Sequence, residues 1–130
     1  MAATKGYVRH LSACRQFVAG DNCILRETLH PDKGGEAAGY SLAHAVVKPG
    51  VTTLLHRLKK SSEVYFIISG RGLMSINSRT MKVKPGSTVY IPPGALQCIK
   101  NTGRKNLAFV CMVSPAWRVK DEEIFQRPLV

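Results

Sequence analysis

No stretch of this chain holds its apolar residues on a 3.6-residue period for three helical turns. Short runs rich in β-branched and aromatic residues recur instead, at 7–11, 23–29, 41–47, 52–59, 63–69, 72–76, 80–83, 88–91, 96–100 and 106–113. Turn-forming clusters separate them: Pro31-Asp32-Lys33-Gly34-Gly35, Lys48-Pro49-Gly50, Ser69-Gly70-Arg71-Gly72, Asn77-Ser78, Lys84-Pro85-Gly86, Pro92-Pro93-Gly94 and Asn101-Thr102-Gly103. Strands with a turn every ~8–12 residues predict an all-β sandwich or barrel. The one helical expectation is a turn around 121–124, where Asp121, Glu122 and Glu123 suit a helix N-terminus.

At 130 residues the chain has the length of one domain, expected to span 1–130. No window approaches the ~18 apolar residues of a membrane span. Residues 1–20 carry Lys5, Arg9, His10 and Arg15 without the apolar stretch of a secretory signal, so a cytoplasmic protein is expected. Cys14, Cys23, Cys98 and Cys111 form no CxxC pair and no zinc-finger spacing, and read as reduced, small, apolar fillers.

Charge adds one strong constraint. Nineteen Lys and Arg face eight Asp and Glu, for a net +11. Between Glu36 and Asp121 the single carboxylate is Glu63, against thirteen basic residues in the same stretch. Such a field attracts anions, whether nucleic acid, acidic lipid or a small anionic metabolite, and solubility alone is the other reading. Arg57, Lys59, Lys60, Arg71, Arg79, Lys82 and Lys84 lack the interleaved aromatics of a nucleic-acid surface and read as a solvated face.

Two spaced motifs carry the candidate chemistry. The first is Gly50-x5-His56-x-Leu58-x4-Glu63-x6-Gly70, and the second is Gly86-x5-Pro92-x-Gly94-x2-Gln97-x3-Asn101. Alternation along strands puts His56 with Leu58 on one face, Glu63 with Tyr65 and Ile67 on one, and Gln97 with Ile99 on one. In a barrel these rows converge on the centre, where Glu63 is the one carboxylate expected.

With these motifs the chain resembles the cupin superfamily, with a motif core over 50–101. The resemblance implies a jelly-roll barrel (a double-stranded β-helix) in one domain. The segments Leu25-Arg26-Glu27-Thr28-Leu29-His30-Pro31 and Ser114-Pro115-Ala116-Trp117 resemble a subgroup of small cupins. In metal-binding cupins two histidines and a glutamate of the first motif, and a histidine of the second, are ligands. Here the resemblance implies His56, Glu63 and Gln97 as metal residues, with Leu58 standing at the second histidine position. A divalent ion such as manganese, iron, nickel or zinc is then one expectation, and a metal-free hydrogen-bonded cluster is the other.

Two functional readings follow. One is a lyase, isomerase or epimerase acting on an anionic metabolite, with Glu63 and Tyr65 as catalytic groups. The other is a binding module that captures such a molecule without turnover. Arg26 is a candidate anion clamp and His44 a candidate pocket group if their side chains face inward. The outward phase of Phe66 and Ile68, and the need of a small barrel to cover its edges, predict a homodimer.

Overall fold

Gly70 shows how tightly the turns dictate the strands here. It has φ +85°, and a Cβ on it would meet the Asn106 carbonyl oxygen at 2.6 Å and the Leu107 Cα at 2.8 Å. Only glycine fits a left-handed position so close to another backbone. The chain therefore reverses between β5 (Ser62–Ser69) and β6 (Gly72–Ile76) directly against the start of β10 (Leu107–Ser114).

The computed structural model describes residues 6–34 and 39–125. Its remaining strands are β1 (Gln16–Val18), β2 (Ile24–Leu29), β3 (Ser41–Val47), β4 (His56–Leu58), β7 (Arg79–Val83), β8 (Thr88–Ile91), β9 (Gln97–Asn101) and β11 (Glu122–Ile124). They form a six-stranded sheet in the order β1-β2-β3-β10-β5-β8 and a five-stranded sheet in the order β11-β4-β9-β6-β7. Every pairing is antiparallel. This is the all-β jelly-roll architecture expected.

Inward positions of both sheets share one core. Ala45, Ile67, Met74, Ile91, Ile99, Leu107 and Phe109 are all at most 1% exposed. Asn101 fastens the second motif to this core: its amide donates to the Val47 and Lys105 carbonyls at 2.8 Å each, and its oxygen accepts from the Gly103 N–H at 2.8 Å. A buried amide satisfied on three sides holds its turn in one conformation.

Three local expectations are corrected. The run 7–11 is no strand, because it pairs with no neighbour in the described sheets, and a 3-10 turn, Leu11–Ala13, follows it. Strand β1 lies further on and pairs Phe17 with Leu25. In the run 52–59 only His56–Leu58 forms a strand, although Thr53 N–H still donates to the Ile99 carbonyl at 2.9 Å. The helix expected at 121–124 is a 3-10 turn, Val119–Asp121, leading into β11. There the Asp121 carboxylate accepts the Lys60 and Ser61 N–H groups at 2.8 and 3.1 Å instead of capping a helix of its own. Gly35 and Glu36 lie outside the described residues.

Candidate functional site

The barrel holds a cavity of about 330 Å³ whose walls come from both sheets. Along β5 the alternation aims Glu63 and Tyr65 into it, and β4 contributes His56. Gln97 stands opposite His56 across the β4–β9 pairing and is fully buried. The four residues singled out from the two motifs are thus brought together.

Three of them form one hydrogen-bonded chain. The Tyr65 hydroxyl donates to the Gln97 side-chain oxygen at 2.9 Å, and the Gln97 amide donates to Glu63 Oε1 at 3.1 Å. Glu63 Oε2 has no side-chain partner among the described residues. The Tyr65 ring stacks on Phe109 with centroids 4.3 Å apart, which fixes the phenol's aim. His56 donates from Nδ1 to the Leu54 carbonyl at 2.9 Å, and this bond sets the ring so that Nε2 faces the cavity.

Asp21 completes the arrangement, and nothing in the motif spacing announced it. It sits in the tight turn between β1 and β2, where Asn22 takes φ +74°. One carboxylate oxygen accepts the Cys23 N–H at 3.0 Å, the Asx-type bond that shapes the turn. The other lies 3.6 Å from His56 Nε2. The Asp21 carbonyl also accepts the Leu54 N–H at 2.8 Å, so the same peptide positions both partners.

Glu122, on β11, is the second carboxylate missed. It lines the cavity beside Trp117 and Asp21. Alternation places it inward, while its neighbour Glu123 turns out to meet the Arg57 guanidinium at 2.7 Å. An alternating reading of 122–124 as strand would have found it; the acid-rich composition suggested a helix start instead.

Burial controls the protonation of these groups. It pushes the Glu63 carboxyl up to about 7, with His56 and the Gln97 hydrogen bond pulling downward and Asp21 and Glu122 adding repulsion. Glu122 is also raised by burial, against the pull of His56 and a hydrogen bond from the Trp117 indole. The Tyr65 phenol and the cavity-lining Cys23 and Cys111 thiols are raised for the same first reason. A carboxyl near 7 on a cavity wall can hold or release a proton at physiological pH.

The donor set does not fit the metal centre that the family resemblance implies. Gln97 turns its N–H toward Glu63 and accepts the Tyr65 hydroxyl on its oxygen, so the amide is committed within the cluster. Leu58 is a buried hydrocarbon. Among the described residues no three His, Cys, Asp or Glu side chains are arranged to hold an ion.

Arg26 and His44 are corrected as cavity groups. Leu25, Glu27, Ala43 and Ala45 line the cavity, so the intervening Arg26 and His44 stand on the opposite face of the same sheet. They are cross-strand neighbours there, and His44 is held below the ordinary histidine range by burial and then by the Arg26 guanidinium. Arg26 itself donates to the Leu11 carbonyl at 3.1 Å. The cationic side chains that do line the cavity are Arg15 and Lys33.

Comparison with known proteins agrees with this fold. The chain is 40% identical over 114 residues to an uncharacterised protein of Methanocaldococcus jannaschii, covering 86% of this chain and 89% of that one. It is 28% identical over 71 residues to an oxalate-binding protein of Thermotoga maritima, covering 55% of this chain and 59% of that protein. Among solved structures it superposes on the Streptomyces nucleoside dehydratase Pac13 with TM-score 0.76 and 18% identity, over 97% of this chain and 95% of that one. The model of the cupin domain family matches residues 43–113, the span from β3 through β10 that carries His56, Glu63, Tyr65 and Gln97. The chain belongs to the cupin domain family.

Proposed function

We propose that this cupin binds a small, anion-bearing metabolite in its barrel cavity and moves a proton on it, as a lyase, isomerase or epimerase does, without a resident metal. The observation that carries the reading is the buried Tyr65–Gln97–Glu63 chain set beside the Asp21–His56 pair. His56 Nε2 is oriented to accept a proton from the substrate, with Asp21 favouring the imidazolium that results. Glu63 Oε2 is the carboxyl oxygen left to meet the substrate, and Tyr65 and Gln97 hold its partner oxygen in place. The exposed Arg15 at the cavity's open end supplies the contact for the anionic group. The oxalate-binding relative supports an anionic ligand by analogy.

A second reading, capture without turnover, draws on Gln97: an amide at the centre of the cluster orients a ligand but takes no part in proton transfer. In either reading the protein works in the cytoplasm, where its four free thiols stay reduced. It pairs as a homodimer through the outer face that exposes Phe66, Ile68, Tyr90 and Met112.

The test is a thermal-shift panel of small carboxylates and hydroxy acids on chelator-treated protein, with mass spectrometry of the recovered ligand. Stabilisation by a panel member, lost in His56→Gln, supports the cavity as the site. Chemical conversion of that molecule selects the enzyme, and unchanged recovery selects the binding module. No stabilisation by any member, or equal binding by His56→Gln, overturns the reading.

A further inference from the structure

The two ends of the barrel differ in charge. Strand β9 begins at Gln97, in the polar cluster, and ends at Asn101. The turns 48–50, 70–71, 84–87 and 102–106 meet at the Asn101 end. The Asn101 carbonyl accepts the Gly50 N–H at 3.2 Å, its own N–H donates to the Val51 carbonyl at 3.0 Å, and its amide donates to the Lys105 carbonyl at 2.8 Å. The Thr102 N–H donates to the Arg71 carbonyl at 3.2 Å. Gly72 pairs with both Asn101 and Val83, and the Gly86 N–H donates to the Ile67 carbonyl at 2.8 Å, which sets the 84–87 turn beside the others. These turns carry Lys48, Arg71, Lys84, Arg104 and Lys105, all exposed, and no carboxylate.

Among the described residues nothing neutralises this cap. None of its five cations makes an ion pair there. The described carboxylates are engaged elsewhere: Glu27 by Lys33, Asp32 by Arg118, Glu123 by Arg57, and Asp121 by the N–H groups of Lys60 and Ser61. Asp21, Glu63 and Glu122 line the cavity. Part of the net +11 is thus gathered in one place, and a second copy of the chain would bring only the same cap and the same engaged acids. The hydrogen bonds that hold these turns fix the backbone beneath the cations, so mainly side-chain freedom is lost on binding.

We infer that this cap binds the phosphate backbone of a double-stranded nucleic acid. A duplex presents one negative charge per ~1.7 Å of its axis, dense enough to meet several of these cations at once. The cap's turns contain no Trp, Tyr or Phe. They therefore offer neither the stacking platform of a single-strand binder nor the aromatic anchors of a lipid interface. No helix lies among them to enter a major groove, so the contact is to phosphate and indifferent to base sequence. Arg71 and Lys84 read in the sequence as a solvated face for want of interleaved aromatics, but phosphate contact needs none. The inference is independent of the cavity's ligand, because none of the five cations lines that cavity.

Fluorescence anisotropy of a labelled DNA duplex, titrated with the intact chain at several salt concentrations, tests this. The logarithm of the binding constant should fall against the logarithm of salt with a slope of ~−4 to −5, the sum of five phosphate contacts at ~−0.9 each. A second duplex of unrelated sequence should bind equally. Arg104→Gln with Lys105→Gln should flatten the slope by ~2 and weaken binding at low salt at least ~tenfold. Lys59 and Lys60, also exposed, follow β4 beyond its pairing with Gln97, away from Asn101. Lys59→Gln with Lys60→Gln removes the same charge there and should leave the slope unchanged. Equal flattening by the two double variants overturns the inference, since net charge alone would then explain the binding. Absence of duplex binding at low salt overturns it too. So does tighter binding to poly-glutamate, to a single strand or to phosphatidylglycerol vesicles than to the duplex. The wild-type ranking of these probes decides the matter even if a variant fails to fold.

Discussion

Asp21 Oδ2 lies 3.6 Å from His56 Nε2, and a backbone bond from Leu54 N–H to the Asp21 carbonyl holds the two segments together. The pairing joins a turn of the six-stranded sheet to a strand of the five-stranded one. The imidazole is therefore anchored at Nδ1 by its own strand and aimed at Nε2 by the opposite sheet. Five measurements test what this arrangement implies.

Glu63 ties stability to pH. Its folded value of about 7 lies above the ordinary 4.5, so its contribution to stability is whole below about pH 4.5 and lost as pH rises through about 7. Urea unfolding should show wild type losing about 3 kcal/mol relative to Glu63→Gln between roughly pH 4.5 and pH 8. Parallel pH profiles for the two proteins would contradict the burial of an isolated carboxyl.

Tyr65→Phe keeps the stack on Phe109 but leaves the Gln97 oxygen without its donor. An unsatisfied buried acceptor should cost ~1–3 kcal/mol in denaturant unfolding. Ligand affinity or turnover should fall as well, because Gln97 and Glu63 lose their fixed orientation. A variant as stable as wild type would mean that the hydroxyl bond is dispensable.

Gly70→Ala forces a Cβ into the Asn106 and Leu107 backbone at a left-handed φ. Backbone atoms cannot rotate aside, so unfolding should require at least ~2–3 kcal/mol less free energy. The same change at Gly86, which has open space around its Cβ direction but φ +91°, should cost less. Equal losses at the two sites would show that the close backbone approach at Gly70 adds little to the strain of its left-handed φ.

Divalent ions should add no stability. Chelated protein should keep its Tm, and manganese, iron, nickel or zinc should shift it no more in wild type than in Glu63→Gln. A shift confined to wild type would restore the metal expected from the family pattern on His56 and Glu63.

Phe66 is 49% exposed on the outer face of β5, two residues from Ile68, and Met112 and Tyr90 stand on neighbouring strands across from Val64, two residues before it. Phe66→Asp should convert a dimer to a monomer by light scattering at tens of micromolar, roughly the regime of a weak interface. A monomeric wild type would remove the dimer.

Much of this architecture was legible because its signals are local. Glycine and proline clusters mark the turns, and the period-two runs mark the central strands from 41–47 through 106–113. Motif spacing, read with strand alternation in an expected barrel, put His56, Glu63, Tyr65 and Gln97 on inward faces. The misses have non-local causes. Arg26 and His44 each sit one residue out of phase with the cavity, and a one-residue shift along a strand reverses the face. An irregularity in the β2–β3 register between Glu27 and Leu29 makes that phase hard to read from sequence. Asp21 and Glu122 enter the site through pairings between segments far apart in the chain, which no spacing motif records. Strand β11 was hidden because three consecutive acids favour a helix start locally, whereas pairing with β4 decides the outcome.

The cavity draws Asp21 from its first hairpin and Glu122 from its last strand. The complete cavity wall therefore exists only when the far flanks of the sequence have met across the barrel. A ligand seated between them acts as a clasp across nearly the whole chain, and it favours the closed barrel over states in which β11 has peeled away. Damage to that terminal strand will consequently register as lost recognition well before it registers as lost folding.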